Sequence, residues 1–315
     1  MTERTEPMII YIMGRGHSGS TTLDLVLGNH PEAVTAGEIT NGFRVPDYPC
    51  TCGATLDECP FWGPVRREVG ERHPETGWDE YGRMLGRIDM PQRIPAILTG
   101  AGLPSWVKSR YDPMNRDLYE TVARRAGASY VVDSSKDLAR AASLLKRYGG
   151  PVKVIHMVRD GRGELWSRLK RLRAGKPFQV LRRDTHPKRH WPAMALTAWA
   201  WAASNALSVL YGWMNPGRVH RVLYEDLCEN PRREIERLGG FLGLDLSAMA
   251  DRIEKGEPFT FGHNVSGSIL LTAESKTLTF RPDRAWKENL PRRYRALYVL
   301  LAWPLILYFG YHRKA

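Results

Sequence analysis

The sequence predicts an α/β fold: a mostly parallel central sheet flanked by helices, with a helical cap inserted into it. Three observations predict it. Residues 8–13 form a short, continuous apolar run that passes through a glycine-rich loop into a helical pattern. The same order of strand, polar turn and helix recurs three more times along the chain. Between these repeats, about 66–127 is helical in parts but broken by proline and glycine, as an inserted cap would be.

The run at 8–13 shows no polar alternation, which suits a strand buried on both faces of a parallel sheet. Gly14, Gly16 and Gly19 follow, and 20–28 reads as a helix closed by Gly28 and Asn29. Residues 130–132 read as a second strand, leading through 133–136 into a helix over 138–148. Residues 152–158 read as a third, followed by Arg159, Asp160 and Gly161 and a helix to about 173. Residues 219–224 read as a fourth, followed by Glu225 and Asp226 and a helix over 232–242. Ligands of such sheets sit outside the carboxyl ends of the strands, so the four post-strand segments are expected to face one crevice. Residues 194–213 read as a long helix whose Trp199, Trp201 and Trp213 belong to the core and a pocket wall. The whole is read as one domain over 1–315, with the cap at 66–127 and a lid and apolar helix at about 260–315.

Composition narrows the partners. A chain of 315 residues, 43% hydrophobic and 25% charged, is globular, neither disordered nor polytopic. Its net charge of +12 points to an anionic partner. The excess is local: nine Lys or Arg against the single acid Asp184 lie between Arg168 and Arg189. That stretch is read as a solvated loop, or as a surface for an acidic acceptor or an anionic membrane. No known nucleic-acid-binding motif accompanies the charge, so nucleic acid is not expected. The first seven residues carry two acids and run straight into an apolar strand, unlike a secretory signal. A cytoplasmic setting is expected. Residues 296–311 are almost wholly apolar, flanked by Arg292, Arg293, Arg295, Arg313 and Lys314. That run falls short of the ~20 residues a spanning helix needs, and Pro304 interrupts it. It reads as a packed helix, with a place on a membrane surface as the sharper alternative. Of four cysteines, Cys50, Cys52 and Cys59 cluster. Their Cys-x-Cys spacing is atypical for structural zinc and no fourth ligand lies nearby, so packing or an opportunistic disulfide is expected and no metal.

The loop from Gly14 to Thr21 has the glycine spacing of the nucleotide-triphosphate loop, G-x-x-x-x-G-K-[ST], with Ser20 where the lysine belongs. Without that lysine the β- and γ-phosphates of ATP lose their cation. The backbone amides and the hydroxyls of Ser20, Thr21 and Thr22 suit a smaller anion pair instead.

Gly16-His-Ser-Gly-Ser-Thr-Thr-Leu23 resembles the 5′-phosphosulfate loop of sulfotransferases that use 3′-phosphoadenylyl sulfate (PAPS), nearest their bacterial and Golgi-type branches. Arg159 ending a strand, with Ser167 eight residues later, resembles the family's 3′-phosphate signature. Tyr224-Glu-Asp-Leu227 resembles its later strand. The resemblance runs from about 9 to 244. It implies a fold like that of P-loop NTPases, PAPS as donor without metal, and transfer of a sulfuryl group to an acceptor hydroxyl. It implies donor contacts from Arg15, Gly16, His17, Ser18, Gly19, Ser20, Thr21, Thr22, Arg159 and Ser167. A basic late lid implies Arg281 as well, with Arg284 and Lys287. Glu38 matches the general base of the tyrosyl-protein branch, and Lys136 its catalytic lysine. His17 departs from the family, which carries Lys or Arg there. Either His17 serves with a pH dependence, or Arg15 or Lys136 replaces it. The acceptor has no sequence signature; an acidic or lipid-linked hydroxyl compound suits the charge and the apolar tail. The competing readings are a P-loop kinase or NTPase, with Asp133 as magnesium ligand, and a non-enzymatic membrane-binding module.

Overall fold

The computed structural model describes residues 6–45, 47–174, 190–265, 275–278 and 280–313. Strand β1 (Met8–Gly14) is followed by α1 (Ser20–Gly28), and β2 (Ala33–Gly37) by α2 (Ile39–Arg44). The cap continues as α3 (Trp62–Arg72), α4 (Gly77–Ile88), α5 (Ile94–Thr99) and α6 (Asp112–Ala126). The chain re-enters the sheet with β3 (Tyr130–Lys136), α7 (Leu138–Arg147), β4 (Val152–Val158) and α8 (Gly161–Arg173). Next come α9 (Trp191–Met214), β5 (Val219–Leu223), α10 (Tyr224–Glu229), α11 (Pro231–Leu242) and α12 (Ser247–Lys255). A small antiparallel pair, β6 (Pro258–Thr260) and β7 (Ser275–Thr277), precedes α13 (Trp286–Asn289) and α14 (Arg292–Tyr308).

The five main strands are parallel, in the order β2-β3-β1-β4-β5. The central place of β1 explains its unbroken apolar run. Ile9, Tyr11 and Met13 join the cap-side core, while Ile10 and Ile12 join the core under α1 and α11. The edge strand β2 escaped the sequence reading because Ala-Val-Thr-Ala-Gly is short and weakly apolar. Strand β3 also runs four residues past its apolar part. Its polar end stays in the sheet because the Asp133 carboxylate accepts from the Ser135 amide at 2.9 Å and the Tyr119 hydroxyl at 2.5 Å.

A third core lies under α8, α9 and α14. Helix α14 buries Tyr294, Tyr298, Ala302 and Ile306, spaced four apart, so the packed reading of the C-terminal helix holds for one face. Its other face leaves Leu300, Trp303 and Leu307 exposed. Of Trp199, Trp201 and Trp213 on α9 only Trp201 is buried; Trp199 and Trp213 are exposed, against expectation. Most of the basic stretch, from 175 to 189, and the middle of the expected lid, 266–271, lie outside the described residues.

Candidate active site

The carboxyl ends of the strands gather into one crevice. From Gly14 the chain passes through Arg15, Gly16, His17 and Ser18 to Gly19, the N-cap of α1. Gly19 has φ 93°, and a Cβ there would stand 2.6 Å from the Tyr224 ring, so glycine alone fits. Ser20, Thr21 and Thr22 form the first turn of α1, which holds no acid; the Thr22 amide donates to the Gly19 carbonyl at 3.0 Å. The Ser18 hydroxyl is buried without a hydrogen-bond partner among the described residues. An unpartnered hydroxyl beside an open helix N-terminus fits an anion held in this loop.

Arg159 leaves the end of β4 and reaches back to that loop, its Nη1 donating to the His17 carbonyl at 2.9 Å. Its guanidinium lies 4.8 Å over the Tyr224 ring, and Nη2 pairs with Asp283 at 3.0 Å. A Cβ on Gly163 would come within 3.0 Å of the Arg159 Nε, so the guanidinium rests on the first turn of α8. Ser167 is four residues further on, hence one turn along the same helical face. Arg159 and Ser167 therefore share one side of the crevice.

On the other side of β1, Glu38 and Lys136 meet. Lys136 pairs in register with Met13, beside the start of the phosphate loop. Its Nζ contacts Glu38 Oε1 across 98 residues of sequence. Neither Asp133 nor Asp137, the partners its neighbours in sequence would suggest, takes this ammonium. Lys136 has φ 77°, a left-handed conformation that costs a non-glycine residue about 1 kcal/mol or more and here turns the chain at the crevice. Glu38 Oε2 accepts from Asn41 Nδ2 at 2.5 Å and from the Tyr48 hydroxyl at 3.5 Å. The Glu38 amide donates to the Val265 carbonyl at 2.7 Å. Gly37, with φ 72°, makes that approach possible, since a Cβ there would stand 2.3 Å from the Val265 oxygen.

Two expected roles are corrected. Arg15 makes a bidentate pair with the buried Glu164 of α8 at 2.8–3.1 Å, so it braces the loop rather than serving as a spare cation. His17 is pushed down to about 4 by loss of solvent around its ring, then by the charges of Arg168, Arg171, Arg159 and Lys136. At neutral pH it is uncharged. Asp133 is fully buried and held by Tyr119 and Ser135, so it does not reach a magnesium ion in the crevice. Arg281 is exposed and offers its carbonyl to Tyr224 at 3.4 Å, while Arg284 pairs with Glu229 at 2.6 Å. Asn41, Tyr48 and Asp283 were not anticipated; nothing in their local sequence marks them.

A cleft of about 450 Å³ opens in the cap, lined among others by Phe43, Arg44, Arg66, Trp78, Arg83 and the Tyr48 whose hydroxyl reaches Glu38. Phe43 and Trp78 stack at 4.7 Å, and the Arg66 guanidinium lies 5.0 Å over the Trp78 ring. Behind this cleft Cys50, Cys52 and Cys59 meet a fourth group after all: His263, 204 residues beyond Cys59.

A parallel sheet with a glycine loop after β1, an arginine after β4 and a carboxylate–lysine pair at the ends of β2 and β3 fits a group-transfer enzyme. The chain belongs to the sulfotransferase family: the model described as "Sulfotransferase family" matches residues 75–248, more than half of it. It is a sulfotransferase, and the kinase reading is not favoured. The match begins beyond the phosphate loop and Glu38, so their arrangement is independent of it. The sulfotransferase domain of the Synechococcus PCC 7002 olefin synthase is 21% identical with TM-score 0.50, covering 97% of this chain and 96% of that one; it shows the shared fold. The sulfotransferase domain from the curacin biosynthetic pathway is 16% identical with TM-score 0.49, over 94% of this chain and 98% of that one. Sulfotransferase STF1 from Mycobacterium tuberculosis H37Rv is 17% identical with TM-score 0.41, over 79% and 70%. No curated protein matches.

Proposed function

We propose that this sulfotransferase moves the sulfuryl group of PAPS to a hydroxyl of an acceptor bound in the cap cleft. The observation that carries this is the meeting of Glu38 with Lys136, which pairs with Met13 before the phosphate loop, and with Tyr48, which lines that cleft. PAPS, when bound, supplies the activated sulfuryl group and a leaving group, adenosine 3′,5′-bisphosphate, whose 5′-phosphate departs as a stable dianion. The residues of the loop fit it. Ser18, Ser20, Thr21 and Thr22, with the α1 amides, hold the 5′-phosphosulfate; Arg159 and Ser167 hold the 3′-phosphate. Glu38, paired with Lys136, accepts the proton of the acceptor hydroxyl. Lys136 then neutralises charge on the transferring group. No divalent ion is required by this division of labour.

The test is calorimetric titration with adenosine 3′,5′-bisphosphate in chelator, followed by an acceptor screen with labelled PAPS. Metal-independent binding and label transfer are expected. Tight magnesium–ATP binding with no affinity for the bisphosphate would overturn the donor assignment.

The enzyme works, on this reading, as a cytoplasmic protein at an anionic membrane surface. Helices α9 and α14 expose Trp199, Leu210, Trp213, Leu300, Trp303 and Leu307, with Arg292, Arg293 and Arg313 beside them. Helix α9 is long and apolar enough to cross a membrane by length and composition. Its buried face, however, carries Trp201, whose Nε1 donates to the Arg159 carbonyl at 3.0 Å, so it belongs to the site. This reading takes the two helices as a surface-lying pair and the acceptor as lipid-linked. Co-sedimentation with phosphatidylglycerol vesicles, lost in Trp213→Glu with Leu300→Glu, is expected; equal recovery with and without vesicles would remove the membrane from the picture.

A further inference from the structure

We propose that Cys50, Cys52, Cys59 and His263 form a tetrahedral zinc site that fastens residues 262–265 to the wall of the acceptor cleft. The four ligand atoms lie within 4.8 Å of one another. Zinc bond lengths of about 2.3 Å to sulfur and about 2.0–2.1 Å to nitrogen put tetrahedral ligands roughly 3.6–3.8 Å apart. The observed separations bracket that figure: Cys59 Sγ is 3.5 Å from Cys50 Sγ and 3.7 Å from Cys52 Sγ. His263 Nδ1 is 3.8 Å from Cys50 Sγ and 3.3 Å from Cys59 Sγ. Three thiolates and one imidazole, closed to further ligands, are a structural set rather than a catalytic one.

The chain is built to hold these atoms in place. The Cys50 amide donates to the Ala54 carbonyl at 3.0 Å, and Gly53, at φ 87°, turns the loop between the first two cysteines and the third. The Thr51 amide donates to the Asn264 carbonyl at 2.9 Å, and the Thr51 hydroxyl to the Gly262 carbonyl at 2.7 Å. Trp62 Nε1 donates to the His263 carbonyl at 2.7 Å, and the Phe61 ring lies nearly parallel to the imidazole at 6.0 Å. A disulfide would use two of the sulfurs and leave the third and His263 idle. Cys59 instead stands almost equally far from both other sulfurs, as a shared ion requires.

The position of the cluster gives it a function. Two residues after His263, the Val265 carbonyl receives the Glu38 amide. Between Cys52 and Cys59, Thr55, Leu56 and Asp57 line the cleft. The metal would thus brace both the base and the acceptor wall without touching the acceptor; the four ligands are positioning residues.

The test reads metal rather than sulfuryl transfer, so its outcome is separate from the donor assignment. Tag-free protein purified under reducing conditions is expected to carry about one zinc per chain by elemental mass spectrometry. Exchange into cobalt is expected to give thiolate-to-cobalt charge-transfer absorption and the intense red-region bands of a tetrahedral site. Cys52→Ser, at the exposed ligand, and His263→Ala are each expected to weaken zinc by more than the roughly 10–100-fold loss seen for an outer-shell partner. If His263→Ala fails to fold, the cobalt spectra of wild type and Cys52→Ser carry the comparison. Reduced wild-type protein that holds no zinc and gives no tetrahedral cobalt spectrum would overturn the proposal. So would a Cys50–Cys59 or Cys52–Cys59 disulfide found by peptide mapping in zinc-replete protein.

Discussion

The donor half of the crevice and the acceptor half are built by different means. The donor half comes from short contiguous motifs: a loop running from the end of one strand into the next helix, and Arg159 with Gly163 and Ser167 on the turn and helix after another. The acceptor half is assembled from distant pieces. Glu38, Lys136, Tyr48 and the Val265 carbonyl come from an edge strand, a central strand, a cap loop and a late segment. Donor recognition can therefore persist while the acceptor surface changes. Damage to the two halves should look different: loss of turnover on one side, loss of donor affinity on the other.

The largest effect is expected on the acceptor side. Glu38→Gln keeps the shape and the Asn41 contact but removes the proton acceptor, and should lower kcat by about 10²–10⁴-fold. Affinity for adenosine 3′,5′-bisphosphate should stay within a few-fold by calorimetry. Full turnover in this variant would remove Glu38 as base and break the contrast between the halves. Lys136→Met should follow with a loss of about 10²–10³-fold in kcat, the usual cost of one charge-stabilising donor. If single-turnover rates fell no further than donor binding, Lys136 would belong to the donor half instead.

On the donor side, Arg159→Ala should weaken bisphosphate binding by roughly 10–100-fold, the value of one to two charged hydrogen bonds. Turnover at saturating donor should change much less, and Arg159→Lys should recover part of the affinity. A kcat loss without an affinity loss would reverse the assignment. Asp283 occupies the same guanidinium from the C-terminal segment, with its own side chain 41% exposed. A pair so open to solvent is worth about 0.2–1 kcal/mol. Asp283→Asn should accordingly tighten donor binding by no more than a few-fold, and weaker binding would show that Asp283 supports Arg159 rather than competing for it.

The same contrast explains what the sequence made legible. Buried parallel strands and a glycine loop are local patterns, so the order strand, loop, helix could be read at β1, β3, β4 and β5. Strand β2 could not, because an edge strand of small residues lacks the apolar run that marks a central one. Glu38 and Lys136 were suggested by resemblance, yet their contact is a property of the sheet order, which sets β3 between β2 and β1. His263 shows the limit clearly. Local spacing argued against a metal, since the cysteines lacked a fourth ligand, and folding supplies it from the far end of the chain. Arg15 and His17 were misjudged for a related reason: the buried Glu164 and the four cations around His17 come from elsewhere in the fold.

His17 gives the smallest and most discriminating prediction. A histidine acting as the cation the family usually places there would be charged only below its pKa, so turnover would fall as pH rises through that value. In this fold the value lies near 4 rather than 6.5, because both the lost solvation and the surrounding positive charges disfavour the protonated ring. Between pH 5.5 and 8 the ring stays neutral, and the pH profile of kcat should carry no limb from it. His17→Gln preserves a neutral hydrogen-bonding side chain and should leave both the profile and kcat within a few-fold of wild type. A limb near pH 6–7 that vanishes in His17→Gln would show that the bound donor's negative charge restores the proton. The charge balance between the two halves would then be set by the donor and not by the empty crevice.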